Sequence, residues 1–368
     1  MKYLYVFCLL ISFLSGFSQV NKFKSQLHFE GNLHYGFVTP HHDYIAYFIN
    51  DHIRGFQLNV GINTDGSKQW HHTFNFPKVG MGYYNSSLGN KEIYGNVNAL
   101  FFYIDRAYLN IDNRFNFGNR ICFGIGHVSK TFDLIGNPFN SAIGTHYNVF
   151  IQYSLEASYR ISPRNVMKFG IGMSHTSNGS FYKPNAGINF ITSYVGIQQS
   201  ITDYRELINR ARPENADSSK NQFYVAGAFG RKAITRLEHK NFPVYAFTLE
   251  YSRKVSRSGW LGLALTGYLD ESIQKGIALE YPEVKTSTTD NQLIVMNLSY
   301  EIKMGKLSFI FQPGAYIKTN YKYTGAVCNK LALRYTFNKR VVAGVAIKSH
   351  WVAIADFVEW SIGYQFKK

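Results

Sequence analysis

A histidine and a serine two residues apart on one predicted strand form the first group in this sequence that could carry out chemistry. In the segment 166–178, apolar side chains alternate with small or polar ones, and His175 and Ser177 continue the apolar face. A serine hydroxyl becomes a nucleophile when an imidazole accepts its proton, so His175 is predicted as the base and Ser177 as the nucleophile of an acyl-ester cleavage. The amide of Asn178, or backbone N–H groups beside Gly179, are predicted to stabilise the oxyanion.

The imidazole needs a partner that fixes its tautomer, and Asn189 is predicted to supply it. Alternation in the next segment places Asn189 on the same face as Ile191. A hairpin across Gly179 to Gly187 would bring Asn189 beside His175. The alternative interpretation is structural, because polar residues also end the apolar band of a membrane strand at the headgroup boundary.

Period-two alternation recurs along the whole chain and predicts the element that carries this group. It is clear at 56–63, at 245–252 and at 294–302, and it ends in the aromatic strand 358–366. Such a terminal strand resembles the assembly signal of outer-membrane barrels. We predict an all-β fold, a transmembrane antiparallel β-barrel of about 14 strands with 12 to 16 allowed. A soluble β-sandwich would show the same alternation.

The N-terminal residues predict export. Lys2, the apolar run from Tyr3 to Leu14, and the small residues Gly16 and Ser18 are typical of a cleaved secretory signal, which we assign to residues 1–18. Residues 19–368 are then predicted to form a single outer-membrane β-barrel. No later apolar run approaches the ~18 residues of a spanning helix, so helical membrane architecture is excluded.

The composition is consistent with a membrane barrel and a lipid partner. Aromatic residues make up 17% of the chain and the formal net charge is +16. An exported chain meets no nucleic acid, so anionic lipid headgroups are the expected counter-charge. The sequence gives no prediction of the oligomeric state.

The remaining cysteines and histidines predict neither a disulfide nor a metal site. Cys122 and Cys328 are far apart in sequence and are predicted as small buried residues in unrelated strands, while pairing in an oxidising compartment stays open as the alternative. The pairs His41–His42 and His71–His72 lack carboxylate or cysteine ligands at metal-binding spacing, so we predict exposed histidines there. His127 ends another alternating run and is predicted to lie at the membrane interface. No cofactor is expected.

Two short motifs resemble those of the lipid A 3-O-deacylase family of the PagL type. They are His175-Thr176-Ser177-Asn178 and Pro184-Asn185-Ala186-Gly187-Ile188. The resemblance covers about Tyr147 to Ile201. It implies a serine esterase that acts on lipid A in the outer leaflet, with His175 as base, Ser177 as nucleophile and Asn178 as oxyanion donor.

Two departures from that family stand out. Asn189 occupies the position of the family's glutamate, and the chain is about twice as long as the family's small eight-stranded barrels. The nearest upstream carboxylate, Glu156, lies on a predicted strand whose apolar residues face lipid, so its side chain is expected in the lumen. An outer-membrane phospholipase and a non-catalytic, porin-like barrel therefore stay open as alternatives.

Overall fold

A computed structural model describes residues 26–214, 219–236, 240–320, 325–351 and 354–368. The predicted signal segment 1–18 lies outside them. The described residues form sixteen strands: β1 (Leu27–Val38), β2 (Ile53–Asn63), β3 (Lys78–Ser87), β4 (Asn96–Ala107), β5 (Phe115–Val128), β6 (Tyr147–Arg160), β7 (Asn165–Ser177), β8 (Ile188–Ser200), β9 (Asn221–Ala233), β10 (Asn241–Lys254), β11 (Gly259–Asp270), β12 (Gln292–Met304), β13 (Leu307–Lys318), β14 (Val327–Thr336), β15 (Val341–His350) and β16 (Ile354–Lys367).

Short helices lie in the connections between the strands. They are α1 (Asp43–Ala46), α2 (Gln69–Thr73) and α3 (Ser272–Glu280), with 3₁₀ turns at Tyr204–Leu207 and Thr288–Asn291. Within the described ranges, every helix is too short or too polar to cross a membrane.

The strands close into two antiparallel barrels of eight. Strands β1 to β8 form the N-barrel, in which β8 pairs back with β1, and β9 to β16 form the C-barrel, in which β16 pairs back with β9. The all-β barrel architecture is confirmed, and sixteen strands lie within the predicted range. The prediction of one barrel over residues 19–368 was wrong, because pairing of β8 with β1 uses the sheet edge that β9 would have extended.

Charged side chains fill the N-barrel lumen. Arg120 makes a two-pronged ion pair with Glu30, at 2.5 and 2.8 Å, and reaches Asp105 at 3.0 Å. Lys168 of β7 bonds Asp105 at 2.5 Å and Glu156 at 3.1 Å. An eight-stranded barrel leaves an interior that side chains alone fill, so this lumen holds a paired-charge core and no aqueous channel.

The C-barrel is filled in the same way. Arg334 bonds Glu250 at 2.8 Å, and Lys348 bonds Asp356 at 2.6 Å. Cys328 is buried in this barrel and Cys122 is buried in the N-barrel, and both are free, as predicted.

The outer walls are apolar and exposed. On β7, Phe169, Ile171 and Met173 are each about half exposed, while the alternate residues face the lumen. On the last strand, Trp360 and Ile362 are exposed in the same way. Alternation with apolar side chains outside and charges inside is the pattern of a membrane barrel, the inverse of a soluble one.

The two ends of the N-barrel differ in the length of their connections. The longest connection, residues 129–146, lies at the end where β7 finishes, and the four-residue turn 161–164 lies at the opposite end. We call the first end the rim. The described part of the charged segment after β8 lies at the opposite end, where Arg210 pairs with Asp112 at 2.8 Å.

The paired charges of the N-barrel lumen give a stability prediction. Glu30→Gln removes the carboxylate that pairs with both Arg120 and Lys168 in a buried cluster, so we expect a loss of about 3 kcal/mol in the free energy of unfolding. Urea unfolding in detergent measures it. Asp51→Asn, which breaks an exposed 3.5 Å pair with Arg54, is the control and should change little. Equal effects of the two changes would contradict a buried-pair core.

Candidate active site

Strand β7 presents two opposite faces, and the outer one carries the candidate site. Lys168 on its inner face enters the paired-charge core, and the alternate position His175 points outward near the rim. Ser177 is the last residue of the strand and is two residues further along the same outer face. Side chains two apart on a strand stand side by side, which is why the spacing His-x-Ser brings the two groups into contact.

Asn189 completes the group from the neighbouring strand. The β7–β8 hairpin forms across residues 178–187, as predicted, and its register places Asn189 directly opposite His175. The distance from Ser177 Oγ to His175 Nε2 is 2.8 Å, and that from His175 Nδ1 to Asn189 Oδ1 is 2.6 Å. The structure therefore brings the three predicted residues together in one hydrogen-bonded chain. Its catalytic role stays a prediction.

The connection after Ser177 folds back over this chain. Gly187 has a φ of +77°, and a Cβ added there would come within 2.8 Å of His175 Cε1 and 3.1 Å of Ser177 Cβ. The position thus requires glycine both for its backbone conformation and for its close approach to the site. Ser177 is consequently buried, only 7% exposed, although it lies on the outer wall.

The predicted oxyanion donor Asn178 uses its N–H groups in hydrogen bonds that stabilise the connection after Ser177. Its Nδ2 donates to Thr145 Oγ1 at 3.1 Å and to the Tyr182 carbonyl at 3.0 Å, and its backbone N–H donates to Asn185 Oδ1 at 2.8 Å. An amide nitrogen has two hydrogens, and both are used. The side chain of Asn178 is therefore a poor oxyanion donor, and the Gly179 backbone N–H remains as the predicted one.

The sequence analysis missed a fourth polar residue of the site, His41. Its Nδ1 lies 3.2 Å from Asn189 Nδ2, and its Nε2 lies 2.9 Å from the Ala186 carbonyl oxygen. His41 and His42 are both exposed, as predicted, but the prediction did not include the bonds of His41 to the site. No local sequence pattern indicates this contact, because His41 and Asn189 are 148 residues apart in sequence and meet only through the pairing of β1 with β8.

The other residues weighed from the sequence lie away from the site. Glu156 faces the lumen and bonds Lys168, as predicted. His127 is exposed at the rim, where its ring stacks on His146. His71 is buried, contrary to prediction, and its Nδ1 accepts a hydrogen bond from the Gly66 N–H. In the described part of the chain, no cluster of three His, Cys, Asp or Glu side chains could hold a metal ion.

The C-barrel contacts the connection that covers the site. The Ala233 N–H donates to the Ser180 carbonyl at 2.9 Å, and Ser180 Oγ donates to the Ala355 carbonyl at 2.9 Å. Lys183 Nζ also donates to Ser180 Oγ at 3.0 Å. Burial lowers the pKa of Lys183, and Asp356 of the C-barrel opposes that shift. Both barrels thus take part in fixing the residues that follow Ser177.

Family models match both barrels. A model described as lipid A 3-O-deacylase (PagL) matches residues 54–198, and one described as the C-terminal domain of acyloxyacyl hydrolase matches residues 221–368. No curated protein matches the chain significantly.

Solved structures provide distant likenesses. Neisserial surface protein A is 7% identical, with 48% of this chain and 97% of that chain covered, at a TM-score of 0.31. The outer membrane enzyme PagL is 14% identical, with 45% of this chain and 97% of that chain covered, at a TM-score of 0.30.

Barrel architecture, filled lumens and a polar cluster on an apolar outer wall define a membrane β-barrel whose candidate site lies on its outer face. The two family matches fall on the two barrels and together account for most of the chain. The chain belongs to the lipid A 3-O-deacylase and acyloxyacyl hydrolase family.

The contact of Gly179 with the C-barrel gives a prediction for the site. Gly179 has a φ of +63°, and a Cβ there would come within 2.4 Å of Val358 Cγ2. Gly179→Ala should displace the connection after Ser177 and lower esterase activity roughly tenfold, the effect of about 1.4 kcal/mol on a barrier. Initial rates on a chromogenic ester measure it.

The matched control is Gly227→Ala on β9, where an added Cβ meets nothing within 4 Å. This variant should keep the wild-type rate. Unchanged activity in Gly179→Ala would show that the contact with Val358 does not position the site.

Proposed function

We propose that this protein is an outer-membrane serine esterase that removes an ester-linked acyl chain from lipid A. The observation that carries the proposal is the continuous chain from Ser177 Oγ through His175 to Asn189 on the outer wall near the rim. The match of residues 54–198 to the lipid A 3-O-deacylase family supports the substrate class. The rim would then face the outside of the cell, because the longer connections of such barrels do so.

The geometry suggests how the residues act. His175 Nε2 accepts the proton of Ser177 as Oγ attacks the ester carbonyl, and the Gly179 N–H stabilises the oxyanion. His175 then gives that proton to the departing sugar oxygen, which leaves an acyl-enzyme at Ser177. Water, deprotonated by His175, hydrolyses the acyl-enzyme and releases the fatty acid. No cofactor takes part.

The position of the site suits a lipid substrate. The apolar wall below Ser177, with Phe169, Ile171 and Met173, offers a surface for acyl chains, while the ester reaches the triad at headgroup depth. Lateral diffusion in the outer leaflet would deliver the lipid to this wall. The porin-like alternative loses support, because paired charges fill both lumens.

Mass spectrometry of lipid A and phospholipids from cells expressing the protein tests the substrate. We expect wild type to yield lipid A lacking one acyl chain, and Ser177→Ala to yield unmodified lipid A, since the nucleophile is gone. Ser193→Ala, an exposed serine on the outer face of β8, is the control and should retain activity.

Two other results would redirect the proposal. Lysophospholipid and free fatty acid released only when Ser177 is present would favour the phospholipase alternative. Unchanged lipids in all strains would contradict the esterase proposal.

Replacing the neutral amide of the triad gives a further prediction. Asn189→Glu adds a carboxylate that stabilises the imidazolium, so we expect kcat to rise roughly tenfold or more. Gln199→Glu adds the same charge near the far end of β8 and should leave kcat unchanged. A fall in kcat with Asn189→Glu would mean that the site is adapted to the amide.

A further inference from the structure

The hydrogen-bonded chain of the site does not end at Asn189. It continues to His41 Nδ1 at 3.2 Å, and from His41 Nε2 to the Ala186 carbonyl oxygen at 2.9 Å. We propose that His41 is a positioning residue that holds the Asn189 amide in the one orientation that lets His175 act as a base. This proposal rests on the proposed esterase function.

The direction of every bond in the chain follows from its last member. A backbone carbonyl only accepts, so His41 must carry its proton on Nε2. In the neutral ring, Nδ1 is then an acceptor and faces the donor Nδ2 of Asn189. That leaves Asn189 Oδ1 toward His175, whose Nδ1 must donate, and His175 Nε2 is free to accept the Ser177 proton.

The flipped amide would disable the site. With Nδ2 turned toward His175, two donors would meet unless His175 moved its proton to Nε2. A proton on Nε2 points at Ser177 and removes the base. An asparagine can adopt either orientation, whereas a carboxylate accepts on both oxygens and cannot be wrongly turned. Because Asn189 replaces the family's glutamate, the orientation of its amide must be fixed, and His41 fixes it.

The fold places His41 for this role. The Thr39 N–H donates to the Asn189 carbonyl at 2.8 Å, which extends the β1–β8 pairing to the rim and fixes the chain two residues before His41. Burial lowers the pKa of His41, and the adjacent His42 adds to that shift while the bond to Ala186 opposes it. The neutral ring that the argument requires is therefore favoured at neutral pH.

The test combines His41 and Asn189 variants, with Ser177 labelling by a fluorophosphonate as the readout. His41→Leu removes both bonds of the histidine and should slow labelling five- to tenfold. This is about the effect of losing one net hydrogen bond that favours one of the two orientations of the Asn189 amide. His41→Gln can accept from Asn189 and donate to Ala186, so it should restore most of the rate. In the Asn189→Glu background, His41→Leu should have no effect.

The Asn189→Glu background distinguishes two roles for His41: orienting the Asn189 amide, and merely stabilising the connection around the site. A purely structural His41 would slow labelling equally in both backgrounds, and that result would overturn the proposal, as would wild-type labelling in His41→Leu. His52→Leu, which replaces a rim histidine whose ring packs against Tyr35 at a centroid distance of 5.3 Å, is the matched control. Labelling without lipid A turnover would contradict only the substrate, and no labelling in any variant would overturn both proposals.

Discussion

The ion pairs of Lys168 and Arg120 with three carboxylates, Glu30, Asp105 and Glu156, are the contacts on which the N-barrel depends. A closed sheet of eight strands must fill its own interior, and here it does so with cations and carboxylates that pair with one another. Lys168 lies on the same strand as His175 and Ser177. The cluster therefore fixes the inner face of β7, and the candidate site is confined to the outer face of that strand.

That confinement explains where the site can lie along the strand. Polar side chains in the middle of the outer wall would be surrounded by hydrocarbon, at a cost of a few kcal/mol each. Near the rim the cost falls, and the connections over residues 178–187 and 39–42 supply partners and exclude solvent. The C-barrel adds a second support through Ala233 and Ala355, so the connection after Ser177 is held from both sides.

The fold could be predicted from the sequence as far as local patterns determine it. Alternation along β7, β10 and β16 gave the strands, their inner and outer faces, and a membrane-type barrel. It could not distinguish one barrel of sixteen strands from two of eight, since β8 presents the same alternation whether it pairs with β1 or with β9. The closing pairs, such as Leu33 with Val195, join residues far apart in sequence and leave no local signature.

The same limit applies to the site. His175, Ser177 and Asn189 were predictable because two of them share a strand and the third is across a hairpin. The commitment of Asn178 to Thr145 and Tyr182 depends on how two rim connections fold together, which the spacing of His-x-Ser-Asn does not encode. His41 depends on barrel closure itself, so a reading of neighbouring strands could not find it.

The use of an amide in the triad links these points. A carboxylate would orient His175 without help and would stabilise the developing imidazolium by charge. An amide does neither unless its own orientation is fixed, because its oxygen and nitrogen are similar in shape and opposite in hydrogen bonding. The Ala186 carbonyl fixes it indirectly: its lone pairs determine the proton on His41, which determines the Asn189 amide and then His175. A backbone oxygen thus selects the tautomer of the base through two side chains that only barrel closure brings together.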